Sequence, residues 1–343
     1  MHMADALLSP AVGAAMYVAS TGALARSTHK IDVEALEKKI PIMAVAGSFV
    51  FAAQMINFTI PVTGSSGHIG GGILLAAMLG GYPALMTIAA VLGIQALFFA
   101  DGGLLALGAN IFNLGVIPCL FVYPLLFKPL MKKGMSAKSI TLASILAVIV
   151  SLQLGAFGVV FETVLSGVTK LPFVTFLLMM QPIHLAIGII EGIVTAGVLA
   201  FVFSMRPEIL DHEDDQRVIK KSKSLKRVFA ILLLTTLIMG GLLALFASSN
   251  PDGLEWSIQK VTGVSELEAQ SFVHSFAASI QKLTAFMPKY DYASSGNQSS
   301  INATTAAGLI GSGLTFALAG SIGYGITRAK KKRKRKETEA ALH

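Results

Sequence analysis

Residues 139–162 read SITLASILAVIVSLQLGAFGVVFE, 24 positions in which Gln153 and Glu162 are the strongly polar groups. A helix rises about 1.5 Å per residue and a bilayer core is about 30 Å thick, so a run of this length and apolarity crosses a membrane. Working outward, comparable runs lie at roughly 8–26, 40–58, 67–81, 83–100, 104–127 and 184–205, and two more at roughly 228–247 and 304–327. The run at 67–81 is short and rich in glycine. With 54% hydrophobic residues, 13% charged residues and a mean hydropathy of +0.69, the chain is too apolar for a soluble protein of this length. The expected fold is an all-α polytopic membrane protein, with a seven-helix unit followed by a two-helix unit that carries an extracytoplasmic loop. The single cysteine, Cys119, sits inside an apolar run, which excludes a disulfide framework and points to packing.

Lysine and arginine set the expected orientation. With the N-terminus outside, the cytoplasmic segments hold 23 of the 27 basic residues, leaving Lys170, Lys260, Lys282 and Lys289 on the other side. The prediction is a multi-pass plasma (inner) membrane protein, N-terminus out and C-terminus in. The net charge of +8 then reflects topology and anionic lipid, and no nucleic-acid partner is needed. The basic run Arg328 to Lys336 follows an apolar span directly and reads as its cytoplasmic anchor. The segment from Asp211 to Lys226 is charged, acidic first and basic after. It marks a linker, giving a seven-span unit at 1–207, a linker at 208–226, and a two-span unit at 227–343 with an outer loop at 248–303 and a basic tail.

The chemistry begins at Met1-His2-Met3. A histidine second from a free amine offers three consecutive nitrogens: the α-amine of Met1, the deprotonated peptide nitrogen of His2, and its Nδ1. They close two chelate rings in one plane, the preference of Ni(II) and Cu(II). The start lacks a basic region that would mark a secretory signal, and Asp5 lies where positive charge would be needed, so the terminus is expected to survive, Met1 included. The expected orientation puts Thr63-Gly-Ser-Ser-Gly-His68-Ile-Gly-Gly-Gly72 on the same face. Ser65 or Ser66 is expected to cap a helix that begins near Gly67, setting His68 in its first turn with a lone pair held for metal. Met1, His2 and His68 are thus the candidate metal ligands, four nitrogens from three residues.

Gln54, Asn57, Asn110 and Asn113, with Ser65 and Ser66, are candidates to orient the histidines by hydrogen bonds, and Gln153 lies among the same amides. The alternative for such amides is helix-to-helix bonding. His184 and Glu191, seven residues apart on one helix face, read as an inter-helix ion pair or an outer funnel. His29, His212, His274 and His343 are expected to be solvated. The chain has no Gly-x-x-x-x-Gly-Lys-Ser/Thr loop, so it does not hydrolyse ATP by that route, and no nucleophile and base pair marks an enzyme.

The opening Met1 to Pro10, with Thr63 to Gly72, resembles the cobalt/nickel substrate-binding membrane component of energy-coupling factor transporters, a class of ABC importer. Pro251-Asp252-Gly253-Leu254-Glu255 resembles the signature of the small two-span subunit of the same systems. Together they cover nearly the whole chain in the order of a fused protein. The resemblance implies capture of Ni(II) or Co(II) as transported substrate by Met1, His2 and His68, with no organic cofactor. It also implies, as partners, a transmembrane coupling subunit and cytoplasmic ABC ATPases, and a context such as cobalamin biosynthesis. The two-span unit would help load or gate the site. Planar nitrogen ligation inclines the choice to nickel. A membrane metal receptor without translocation and a gradient-driven carrier are the competing readings.

Overall fold

In a computed structural model, the residues described are 2–61, 63–132, 134–210, 225–264, 267, 271–292 and 301–341. Helix α1 (Pro10–Lys30) starts where Ser9 accepts from the Val12 N–H and Pro10 presets the first turn. Helix α2 (Val33–Gln54) is capped by Asp32 and leads into a hairpin of β1 (Phe58–Ile60) and β2 (Ser65–Gly67), paired Phe58 to Gly67. Helix α3 (Gly72–Leu79) is followed without a loop by α4 (Gly81–Phe98). Then come α5 (Leu107–Lys132), whose middle from Phe112 to Phe127 is wound as a π-helix around Pro118 and Pro124, α6 (Ala137–Ser166) and α7 (Phe173–Met205). The second unit consists of α8 (Leu225–Gly241), α9 (Gly253–Thr262), α10 (Phe272–Thr284) and α11 (Ile301–Ala341).

Five of these helices are long and apolar enough to cross a membrane: α4, α5, α6, α7 and α11. Helices α1 and α2 have the length, at 21 and 22 residues, but α2 opens with Glu34, Glu37, Lys38 and Lys39 in its first two turns. Helices α6 and α7 run antiparallel in close contact. A Cβ at Gly188 would lie 3.2 Å from the Ile149 Cα, and one at Gly192 would lie 2.8 Å from the Ile145 Cα, so these glycines let the backbones approach. The amides of Gln153 and Gln181 each donate to the other's backbone carbonyl across this seam, at 3.0 and 3.2 Å. Outward, Leu142, Leu154, Phe161, Leu178 and Ile193 are exposed, as a lipid-facing surface requires.

The third expected span is not one. Helix α3 has eight residues, about 12 Å of rise, and the chain reaches it through extended backbone. Gly71 (φ 78°) and Gly80 (φ 80°) bound it in conformations that other residues adopt only with strain. Extended backbone among membrane helices must find partners in protein. Here Gln54 Nε2 donates to the Gly70 carbonyl at 2.8 Å, the Gly71 N–H donates to Glu191 Oε1 at 2.8 Å, and Cys119 Sγ lies 3.5 Å from the Gly72 carbonyl. The expected cap at Ser65 or Ser66 is likewise absent: these residues form β2, and the helix starts five residues later than Gly67.

The second unit packs on the first. Helix α11 lies along α2, where a Cβ at Gly311 would collide with the Phe51 ring and one at Gly320 would touch Ala44. Glycines 240 and 308 bring α8 against α11. The expected linker, 208–226, falls mostly outside the described residues.

Candidate metal centre

The site grows from the way residues 2–8 are held. Asn110, on α5, accepts the Met3 N–H at 2.8 Å and donates to the Met3 carbonyl at 3.2 Å, pairing with the backbone as a neighbouring strand would. The Gly103 N–H adds a bond to the same carbonyl at 2.9 Å. Asp5 accepts from the Ala106 N–H at 3.0 Å, and burial pushes its carboxyl above the ordinary range. Glycines 102 and 103 form the bed. A Cβ at Gly102 would lie 3.3 Å from the His2 Cβ, and one at Gly103 would fall on the Asp5 carboxylate.

This seating lays the His2 ring over His68, with centroids 5.0 Å apart and planes inclined by 15°. His68 is buried in the extended stretch between β2 and α3, its Nδ1 3.2 Å from the Ile69 carbonyl. The expectation of a first-turn histidine is thereby corrected: loop backbone, and no helix N-terminus, positions it. His2 has its side chain 6% exposed, and its Nδ1 lies 3.0 Å from Asp101 Oδ1. Its Nε2 is buried without a hydrogen-bond partner among the described residues. Met1, the remaining candidate ligand, lies outside the described residues.

Asp101 is the residue whose role the sequence did not disclose. Besides His2 it accepts from the Tyr290 hydroxyl at 2.5 Å. Partial burial works against its charge, but the His2 imidazole and the bonds from His2 and Tyr290 outweigh this and hold the carboxyl well below the usual range. Tyr290 stacks on Phe99 with centroids 5.0 Å apart, and burial together with Asp101 keeps the phenol protonated. A carboxylate followed by Gly102-Gly103 just after an apolar run was the available signal. Its partner Tyr290 is 189 residues away, and local pattern carries no trace of that.

The other candidates divide. Asn110 serves the site as expected of an orienting amide, although it holds Met3 backbone and touches neither imidazole ring. Asn113 donates to Glu162 at 2.9 Å and Gln54 supports Gly70, so neither is bonded to an imidazole. Asn57 meets the second unit through its carbonyl, which accepts from the Ser248 N–H at 2.7 Å. The Ser65 hydroxyl turns to the Ser66 carbonyl, and the Ser66 hydroxyl to the Asn250 carbonyl at 2.8 Å. His184 and Glu191 do not pair with each other: His184 bonds to the Met180 carbonyl and Glu191 to Gly71.

His274 overturns the expectation of a solvated ring. It is 5% exposed, and its Nε2 lies 2.8 Å from the Leu8 carbonyl and 3.0 Å from the Asp5 carbonyl. Carbonyls only accept, so Nε2 carries the hydrogen and Nδ1 accepts from Ser271 at 2.6 Å. The second unit therefore grips the N-terminal segment at His274 and, through Tyr290 and Asp101, at His2.

The string Pro251 to Glu255 has a clear part in this. The Pro251 carbonyl accepts from the Ser66 N–H at 2.8 Å, extending the hairpin into the second unit. Asp252 caps α9 by accepting from Leu254 and Glu255, and Glu255 completes a capping box on the Asp252 N–H. Gly253 lets α9 approach α7, since a Cβ there would lie 3.1 Å from His184 Cε1. Trp256 then donates to the Thr63 carbonyl at 2.9 Å.

Among the described residues no group of three or more His, Cys, Asp or Glu side chains is placed to hold a metal ion. A nitrogen site here would draw on backbone nitrogens beside the two imidazoles. The model of the cobalt uptake substrate-specific transmembrane region, CbiM, matches residues 2–209. This chain belongs to the CbiM family. A PDGLE domain model matches residues 226–328. The putative fused nickel transport protein NikMN of Archaeoglobus fulgidus is 32% identical over 213 residues, 62% of this chain and 69% of that protein. The probable fused nickel transport protein LarMN of Lactiplantibacillus plantarum is 28% identical over 291 residues, 80% of this chain and 86% of that one. A crystal structure of a truncated transition metal transporter superposes with a TM-score of 0.51 at 28% identity, covering 60% of this chain and 99% of that chain. The CbiM-family chain is therefore a membrane component of nickel or cobalt transport, multi-pass, and not an enzyme.

Proposed function

We propose that the chain captures Ni(II) or Co(II) at the outer face of the plasma membrane through the Met1 amine, the His2 peptide nitrogen and imidazole, and His68. It hands the ion inward when a separate transmembrane coupling subunit and cytoplasmic ABC ATPases drive it. The observation that carries the reading is the seating of His2 against His68 at 5.0 Å by a clamp that holds Met3 backbone on both sides. The basic loops support the orientation. In this reading residues 1–207 are the capture unit, 208–226 a linker, and 227–343 a two-span unit that steadies the N-terminal segment.

Loading asks His2 Nδ1 to exchange Asp101 for the ion, and the His2 peptide nitrogen to lose its proton. Asp101, bonded to Nδ1 and Tyr290 before loading, seats the ring until the ion takes its place, and the released protons leave to solvent. At least one proton leaves per ion captured, so affinity rises as pH rises, by about tenfold per unit for each proton released. Planar nitrogen ligation favours nickel over cobalt.

The test is to add two alanines before Met1. Every side chain remains, but His2 becomes fourth from the amine and the planar chelate is lost, so radiolabelled nickel and cobalt uptake in cells that express the coupling subunit and ATPases should fall to background. Unchanged uptake overturns the ligand set. Uptake that survives ATP depletion favours a gradient-driven carrier.

A further inference from the structure

Two small cavities follow one another behind His68. The first is lined by His68, Gly70, His184 and Asp252, the second by Gly70, Asn113, Ser151 and Glu191, and both share Gly70, Leu114 and Leu152. The residues that line them carry buried polar atoms without a partner among the described residues: His184 Nε2, Glu191 Oε2, Asn113 Oδ1 and Ser151 Oγ. Native interiors seldom leave such groups unsatisfied, and several in succession ask for a function.

His184 is 1% exposed, and its Nδ1 lies 2.8 Å from the Met180 carbonyl. That carbonyl accepts only, so Nδ1 holds the hydrogen and Nε2 presents a lone pair. A ring held by its other nitrogen on a backbone carbonyl is the usual arrangement of a metal-binding imidazole. Glu191 is 3% exposed and uses Oε1 for the Gly71 N–H. A neutral amide would serve that bond, and a carboxylate at membrane depth is costly unless its charge is used. Gly70 lines both cavities, and a Cβ there would stand 3.4 Å from Glu191 Oε2.

We propose that these cavities form a hand-over path for a divalent transition-metal ion, with His184 Nε2 as the first station beyond His68 and the Glu191 carboxylate, aided by Asn113 and Ser151, as the second. The proposal rests on the capture function proposed above. Seven residues along α7 amount to about 10.5 Å, too far for one ion to touch both side chains and suited to two successive positions. The ligands change from nitrogen to oxygen along the path, which loosens the hold on nickel or cobalt as the ion moves away from capture.

The experiment titrates the full chain in lipid nanodiscs with Co(II), following equilibrium binding and the d–d absorption of the ion, and measures uptake in cells with the coupling subunit and ATPases. The wild type should bind a tight equivalent and a weaker, oxygen-ligated one. Glu191→Gln should keep the tight equivalent, lose the weaker one and slow uptake by about tenfold or more, and Glu191→Asp should restore part of both. His184→Gln should slow uptake similarly with the tight equivalent retained. Gly70→Ala, which keeps every proposed ligand, should slow uptake by narrowing the step, and it stands in if Glu191→Gln fails to insert. A single equivalent in the wild type, or wild-type uptake by Glu191→Gln, overturns the path. Loss of neither equivalent in His68→Ala would instead overturn the capture site, leaving the weaker equivalent as a separate measure of the path.

Discussion

The α6–α7 hairpin and the stretch from Phe58 to Gly71 both belong to the membrane component, and they satisfy their backbones in opposite ways. In α6 and α7 almost every peptide bonds within its own helix, and side chains are left to face lipid or a glycine seam. Among the described residues from Phe58 to Gly71 the backbone is a short hairpin and an irregular stretch, and beyond the β1–β2 pairing its partners come from Gln54 on α2, Glu191 on α7 and Pro251 in the second unit. The first region depends on composition and tolerates exchange of one apolar group for another. The second depends on particular atoms from distant parts of the chain.

The contrast can be broken most severely at His68. His68→Ala removes a proposed ligand and should weaken nickel binding by more than about a hundredfold, beyond the range for loss of a group that only orients a ligand, while the protein still inserts; isothermal titration of the purified chain checks this. Tyr290→Phe keeps the stacking on Phe99 but removes a bond to a charged acceptor, worth about 1.5–3 kcal/mol. With Asp101 less well held it competes less with the ion for His2 Nδ1, so nickel affinity should rise by about tenfold, and the same titration reads it. Asp252→Ala removes the cap of α9 and should lower the stability of the docked second unit by about 1 kcal/mol, visible as earlier proteolysis within α9 and α10. The smallest effect belongs to the hairpin: Leu178→Ala, at a side chain 60% exposed, should change thermal stability in detergent by no more than about 0.5 kcal/mol. A large loss there, or none at His68, would erase the distinction.

The same contrast explains what could be read in advance. Helices α4 to α7 are legible because apolarity over about 20 residues has few other meanings. Pairing His2 with His68 was legible because the chemistry of each points to metal and the charge pattern puts both on one face. The eight-residue α3 was misread as a span because Gly70, Gly71 and Gly72 bring no polar side chain to interrupt the run and yet do not promote helix. Asp101, Tyr290 and His274 stayed hidden for another reason: each acts through a partner more than a hundred residues away, and exposure in a presumed loop made His274 look idle. Ser65 and Ser66 have the residue types of a cap, but the carbonyls of Asn250 and Pro251 compete for them, and only the fold supplies those.

The bonds that join Ser66 to Pro251 and Trp256 to Thr63 have a kinetic consequence. Two short contacts of this kind would make a fleeting complex between separate molecules diluted in a bilayer. Carried on one polypeptide, the docking step becomes intramolecular, with an effective concentration of the order of millimolar. Were these two bonds to open, α9 would find the same hairpin again far faster than a free subunit could. A weak, quickly reversible latch on the hairpin would therefore remain occupied most of the time even though each of its bonds is worth little.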